Sequence, residues 1–279
     1  MSDKQEGIMK IRTNILLVVC CVLVIRIPGL SADNPEQLVA AHLKSIGTSE
    51  ALSQIKSIGF TGTAHANFIQ GMSGQLSGTS MLVSEGSSMG IVMNFQNLNY
   101  PAEHFAYDGK NVTVGDIGVG MKSPIADFLN RFNKIMKNGM LGGVFSKAWP
   151  LLDIKSNRPN MQLRKSKIDG IEYYEIEYRP RDNHGEMRIR LYFDMETYRH
   201  VISEYRVSIR TDVSDLYYTL REKFDDFRVV GDLTLPHGYT LEYSTDGNQS
   251  AFIGTWKIEV RDWKINAPDV DRDLFKAGK

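Results

Sequence analysis

Apolar residues recur along this chain with two different periods, and the change from one to the other marks its parts. Near the start, Val39, Leu43 and Ile46 stand at helical spacing. Ahead of them, Asn34 can cap a helix, Pro35 suits its first position and Gln37 completes a capping box. Gly47 ends the element, and a second short helix is predicted over 49–58, with Leu52 and Ile55 on one side. From Phe60 the period falls to two. Segments 60–69, 75–84, 89–96, 102–107 and 111–115 read as short strands, punctuated by Gly71, Gly74, Gly86, Tyr100-Pro101 and Asp108-Gly109.

One helical stripe interrupts the strands. Ser123 can cap and Pro124 can start a helix whose Ile125, Phe128, Leu129, Phe132, Ile135 and Met136 fall on one face, with Asn138-Gly139 as its stop. Met140, Leu141, Val144, Phe145, Trp149 and Leu151 carry the apolar character onward around Gly142-Gly143. This stretch reads either as a helix covering a core or as a mobile apolar lid hinged on its glycines.

The second half alternates most clearly. Tyr174, Ile176 and Tyr178 are interleaved with Glu175 and Glu177; Met187, Ile189, Leu191 and Phe193 with Arg188, Arg190 and Tyr192. The same holds for Val201 to Ile209, for Tyr239, Leu241 and Tyr243, and for Trp256, Ile258 and Val260. One greasy and one charged face per strand means antiparallel pairing, covered on one side and wetted on the other. The charged face mixes Arg, Lys and Glu, so opposite charges can pair across the ladder. Turns fall at Asp169-Gly170, 182–185, 194–197, 212–215, 230–232, 236–238 and Asp246-Gly247. The count is on the order of ten or eleven strands against two or three helices. The fold class is therefore mainly β (α+β): a large antiparallel sheet that must curl to bury its greasy face, with the helices covering the concave side. With so little cover, part of that side is expected to remain an apolar cavity; a filled barrel interior would satisfy the same pattern.

Composition changes this picture at the N-terminus. Ile15 to Ile25 is an unbroken apolar run, with Lys10 and Arg12 before it and Pro28 to Ala32 after it. That is the layout of a secretory signal peptide, residues 1–32, cleaved after Ala32. The rival, an uncleaved anchor, needs roughly 20 apolar residues, about twice this run. Both cysteines, Cys20 and Cys21, lie in this segment, so residues 33–279, expected to form one domain, have no thiol, no disulfide and no cysteine-based metal site. The whole chain is formally neutral, and the segment carries Lys4, Lys10, Arg12 and Arg26 against Asp3 and Glu6. The remainder is slightly acidic, so no nucleic-acid partner is expected.

Few residues offer chemistry. Gly86-Ser87-Ser88-Met89-Gly90 matches the spacing of a nucleophile elbow, but a strand lies on each side where the elbow needs a helix after it; a hairpin turn is expected. His42, His65, His104, His184, His200 and His237 are scattered singly, without metal-site spacing. Glu222, Asp225 and Asp226 read as a solvated strand face paired with Arg221, Lys223 and Arg228. No catalytic residue, metal site or cofactor is expected.

The order and texture of several segments resemble the LolA-like periplasmic proteins, the outer-membrane lipoprotein-sorting group. The segments are 38–62, Tyr173-Tyr-Glu-Ile-Glu-Tyr-Arg-Pro180, Arg190-Leu-Tyr-Phe-Asp-Met-Glu-Thr-Tyr198, Phe224-Asp-Asp-Phe-Arg-Val-Val-Gly231, Leu235-Pro236 and 258–266 running into Asp273-Leu274-Phe275. The resemblance implies an incomplete barrel with a helical lid, a periplasmic location, and an apolar concavity that holds a lipid or a lipoprotein acyl chain between membrane-bound donor and acceptor proteins. The expected function is thus a carrier or chaperone, not an enzyme. The expected lining is Phe128, Phe132 and Met136 from the lid, and Ile189, Leu191, Phe193, Trp256 and Ile258 from the sheet. The alternative is an envelope sensor or protein-binding module on the same fold, with a filled interior and no stoichiometric lipid.

Overall fold

The computed structural model describes residues 32–70, 74–181, 187–210, 215–246 and 251–278. Asn34 caps α1 (Pro35–Ile46), its side chain accepting from the Gln37 amide, and Gly47 closes the helix. The next helix, α2 (Ser49–Gln54), is shorter than its apolar spacing predicts. Ile55 is already extended, because Ser57 and Ile58 are taken up as the first residues of β1 (Ser57–Gln70).

Strands β2 (Gly74–Glu85), β3 (Ser88–Phe95), β4 (Ala102–Tyr107) and β5 (Val112–Val114) follow as a meander. After a long connection come β6 (Asn160–Ile168), β7 (Ile171–Arg179), β8 (Met187–Asp194), β9 (His200–Arg210), β10 (Asp215–Val230), β11 (Leu233–Asp246) and β12 (Phe252–Ile265). All are antiparallel neighbours in one twelve-stranded sheet, ordered β5-β4-β3-β2-β1-β12-β11-β10-β9-β8-β7-β6. The sheet is curled but not closed. The predicted strands thus match closely, and Glu85 pairs with Ser88 across a hairpin turn, as expected for the Gly86 to Gly90 stretch. The turns read at 182–185, 212–215 and Asp246-Gly247 lie wholly or partly outside the described residues.

Because β5 and β6 are the two far edges, residues 115–159 must travel from one edge to the other, and they do so across the inner face. The single helix predicted from Ser123 to Gly139 is broken in two: α3 (Pro124–Arg131) and α4 (Lys134–Lys137). At the break, Phe132 leaves helical geometry and the Asn133 side chain donates to the Asn130 carbonyl oxygen at 3.1 Å. Asn side chains that hydrogen-bond nearby backbone compete with the helix in this way. Short 3-10 turns at Gly143–Phe145 and Pro150–Asp153 and a last helix, α5 (Ile154–Asn157), complete the crossing. The Ser123 hydroxyl caps α3 by accepting from the Ala126 amide at 3.1 Å. Ser123→Ala is expected to cost about 1 kcal/mol, the usual worth of such a cap, read as a lowered urea midpoint.

The charged face carries the expected cross-strand pairs. Arg164 meets Glu175, Arg190 lies 3.4 Å from Glu175 and 3.5 Å from Glu204, and Arg221 reaches Glu204 at 2.8 Å. Lys223 pairs with Glu242 at 2.6 Å. Glu175 and Glu204 are largely buried beneath the arginine stems, so these pairs are better shielded than ordinary surface ones. Among the described residues, no helix is long and apolar enough to cross a membrane.

Candidate functional site

The inner face is where sheet and crossing segment meet. Phe145 sits at its centre, with the rings of Phe60, Tyr239, Phe224 and Trp263 at 5.3, 5.3, 5.6 and 5.6 Å. Gly142 and Gly143 precede it with φ of 83° and 49°. A Cβ at Gly143 would lie 2.9 Å from the Phe224 ring and 3.2 Å from His200 Nδ1, so glycine is required for the segment to sit this close.

The crossing segment is seated on a buried carboxyl. Glu222 Oε1 accepts from the Gly142 amide at 2.7 Å and from the Tyr239 hydroxyl at 2.5 Å. Tyr205 Oη lies 2.7 Å from Glu222 Oε2 and 2.8 Å from the Met140 carbonyl oxygen. One hydroxyl proton cannot serve two acceptors. If Glu222 is neutral, its own O–H donates to Tyr205 and Tyr205 donates to Met140, and every group is satisfied. Burial acts in the same direction, pushing the Glu222 carboxyl up to about 7. This corrects the sequence reading of Glu222 as part of a solvated face. Asp225 and Asp226 do lie outside, the latter paired with Arg228 at the surface, but Glu222 points inward beside Leu220 and Phe224.

A second polar group lies under α1. His42 and His200, 158 positions apart, stack edge to face with ring centroids 6.1 Å apart. Trp149 and Phe193 lie 5.2 Å from the His42 ring. His42 Nδ1 stands 3.1 Å from the Tyr198 carbonyl oxygen and 3.2 Å from the His200 amide nitrogen. Burial holds His42 down at about 3 and His200 well below the ordinary imidazole range, so both are neutral. Two neutral imidazoles in an aromatic nest are packing residues, and among the described residues no group of His, Cys, Asp and Glu could hold a metal. The third buried group is Glu103, which accepts from the Tyr100 hydroxyl; Tyr100 in turn accepts from Trp256 Nε1 at 3.1 Å. Burial pushes Glu103 up to about 7 as well.

The eight residues expected to line a cavity all face the interior, in three neighbourhoods. Phe128 and half-buried Phe132 lie 5.0 Å apart with tilted rings, Phe128 5.2 Å from Tyr243 and Phe132 5.9 Å from Tyr218 of the sheet, with Met136 buried nearby. Trp256 is covered by Tyr100 and Phe68, and Ile258 is buried on the same strand. Phe193 packs on His42 beneath α1, with Ile189 and Leu191 buried on its strand.

The open cavity that the crossing segment helps to line has other walls. About 760 Å³ lies between α1, α2 and the crossing segment, bounded by Leu43, Lys44, Glu50, Leu52, Lys147 and Leu152. Leu52, Lys147 and Leu152 also line a neighbouring apolar cleft of about 20 Å³ floored by Ile46, Ile58, Val144, Leu233 and Leu235. Alternation placed Tyr205 and Tyr239 on the inner face, and the same signal was there for Glu222 but was passed over; sequence reasoning missed Lys147 and the pairing of the two histidines.

Comparison with known proteins adds a likeness of fold at low identity. No family model matches the chain, and no curated protein matches it. Among solved structures, it is similar to a domain assigned to outer-membrane lipoprotein sorting from Vibrio parahaemolyticus. That match has 12% identity and a TM-score of 0.45, covering 86% of this chain and 95% of the other. It is also similar to a DUF1329 family protein from Desulfovibrio piger, at 10% identity and a TM-score of 0.42, with 86% and 95% coverage. The functional reading below rests on the chain's own geometry.

Proposed function

We propose that this protein is a carrier that holds a lipid or a lipoprotein acyl chain against the inner face of its sheet, beneath residues 115–159 as a lid, in the periplasm. The observation that supports this is the construction of the cover. It is one connection tied at both sheet edges, made of helices of four to eight residues with left-handed glycines after α4, and it rests on a largely apolar bed whose polar contacts to it are few, chiefly Glu222 and Tyr205. A long helix or added strands would close such a face permanently; short pieces joined at glycines can shift as units. Burial alone would hold the chain, at about 0.8 kcal/mol per methylene. Phe128, Phe132 and Met136 would then touch it from the lid, and Ile189, Leu191, Phe193, Trp256 and Ile258 from the sheet. Residues 1–32 act as the export signal in this reading, and membrane-bound donor and acceptor proteins load and unload the carrier.

The burial of seven of those eight side chains against other protein groups favours one other reading: a packed module that binds a protein partner in the envelope. Native mass spectrometry of protein purified without detergent, followed by organic extraction, separates the two. A discrete added mass that extracts as lipid is expected for the carrier. A clean apoprotein mass that stays unshifted after incubation with lipid vesicles would sink the carrier reading and leave the partner-binding module.

A further inference from the structure

We infer that the cleft between α1, α2 and the lid is the mouth of the carrier and selects a single-chain amphiphile with a carboxylate head, through Lys147. The inference rests on the carrier reading and adds the headgroup and its place. Lys147 stands between the open cavity and the apolar cleft and lines both. In this position its amide donates to Ser84 Oγ at 2.9 Å. Its side chain is half-buried, and this burial pulls its ammonium below the ordinary lysine range. Among the described residues no carboxylate pairs with it, whereas Arg164, Arg190, Arg221 and Lys223 on the outer face all have acidic partners. A partly desolvated cation left without a counter-ion is a place for an anion to bind.

The surroundings specify the rest of the ligand. Beyond Lys147 the walls are Ile46, Leu52, Ile58, Val144, Leu152, Leu233 and Leu235, all apolar, so a tail points inward and the head stays at the mouth, where Thr48, Ser49 and Ser53 also stand. At the rim stand Lys44 on α1 and Glu50 on α2, so the charged lining of the cavity is two ammoniums against one carboxylate, a net single positive charge. One ammonium suits a singly charged head, and an apolar floor suits an alkyl tail. The closed cleft is too small for that tail as it stands. Val144 and Leu152 belong to the lid, however, and Val144 directly follows Gly142 and Gly143, where the backbone takes left-handed φ. A shift of this one stretch opens the cleft toward the inner face.

The test compares laurate with dodecanol, which share a tail and differ in the head, by titration calorimetry on the full chain at neutral pH. Laurate is expected to bind about tenfold more tightly, the worth of one charge-assisted hydrogen bond in a partly desolvated site. Lys147→Met keeps the apolar stem and should reduce that preference to near unity while dodecanol binding stays the same; Lys147→Arg should keep a preference for laurate. Equal binding of both amphiphiles to the parent protein, or an undiminished preference in Lys147→Met with its thermal melt intact, would overturn this inference and leave the carrier standing. Binding of neither amphiphile would overturn both.

Discussion

Glu222→Ala should cost about 3–5 kcal/mol of folding stability at pH 6, while Glu222→Gln should stay within about 1 kcal/mol of the parent. The alanine variant strands two buried donors, the Tyr239 hydroxyl and the Gly142 amide, at about 1–3 kcal/mol each, and leaves a void as well. Glutamine reproduces the neutral acid. Its amide oxygen accepts from Tyr239 and Gly142, and its amide nitrogen donates to Tyr205 and faces Ser203, which also bonds this carboxyl. Tyr205 remains free to donate to Met140. Urea unfolding of the two variants decides the matter. If glutamine proves as damaging as alanine, the seat requires an ionised carboxylate and the proton assignment is wrong.

The second large effect is in the shape of stability against pH. In the folded protein His42 and His200 stay neutral, so the unfolded chain takes up their protons as the pH falls below about 6.5. The stability present above 6.5 is lost on the way down toward 3, by about 1.4 kcal/mol per pH unit for each histidine. Glu103 and Glu222, both pushed up to about 7, act with the opposite sign. Their penalty is present above 7 and is relieved between about 7 and 4.5, because there the folded protein holds the protons. The two pairs cancel between about 4.5 and 6.5, and only below 4.5 do the histidines prevail. In the double variant Glu103→Gln, Glu222→Gln the fall should begin near 6.5, at about 2–3 kcal/mol per unit. Unfolding midpoints from pH 4 to 8 test this; superimposable curves for parent and variant would show that these carboxyls do not titrate in the window.

The sheet was legible because alternation is a local signal. Ile189, Leu191 and Phe193 reveal their face without reference to any other strand, and the Arg–Glu pairs of the outer face follow once the order of strands is known. Glu222 was legible too, since it shares parity with Leu220 and Phe224, but the cluster of Asp225 and Asp226 drew it into the wrong face. The break at Phe132 is a contest between an apolar stripe and two asparagines, and a stripe alone does not reveal who wins. His42 with His200, and Lys147 at its cleft, could not be read at all. Each depends on elements far apart in the chain that become neighbours only through the topology.

That topology also orders the events of folding. Every neighbouring pair of strands but one is consecutive in sequence; the exception is the central seam, where Ile58 stands opposite Ile265. Two meanders can therefore zip from local hairpins, but they join only after a loop of roughly two hundred residues has closed, a slow step by contact-order reasoning. Until then β1 and β12 each present a bare fourteen-residue edge, the kind of surface on which chains aggregate. The seam is thus both the last stretch of sheet to form and the place where an incompletely synthesised chain is most exposed to wrong pairing.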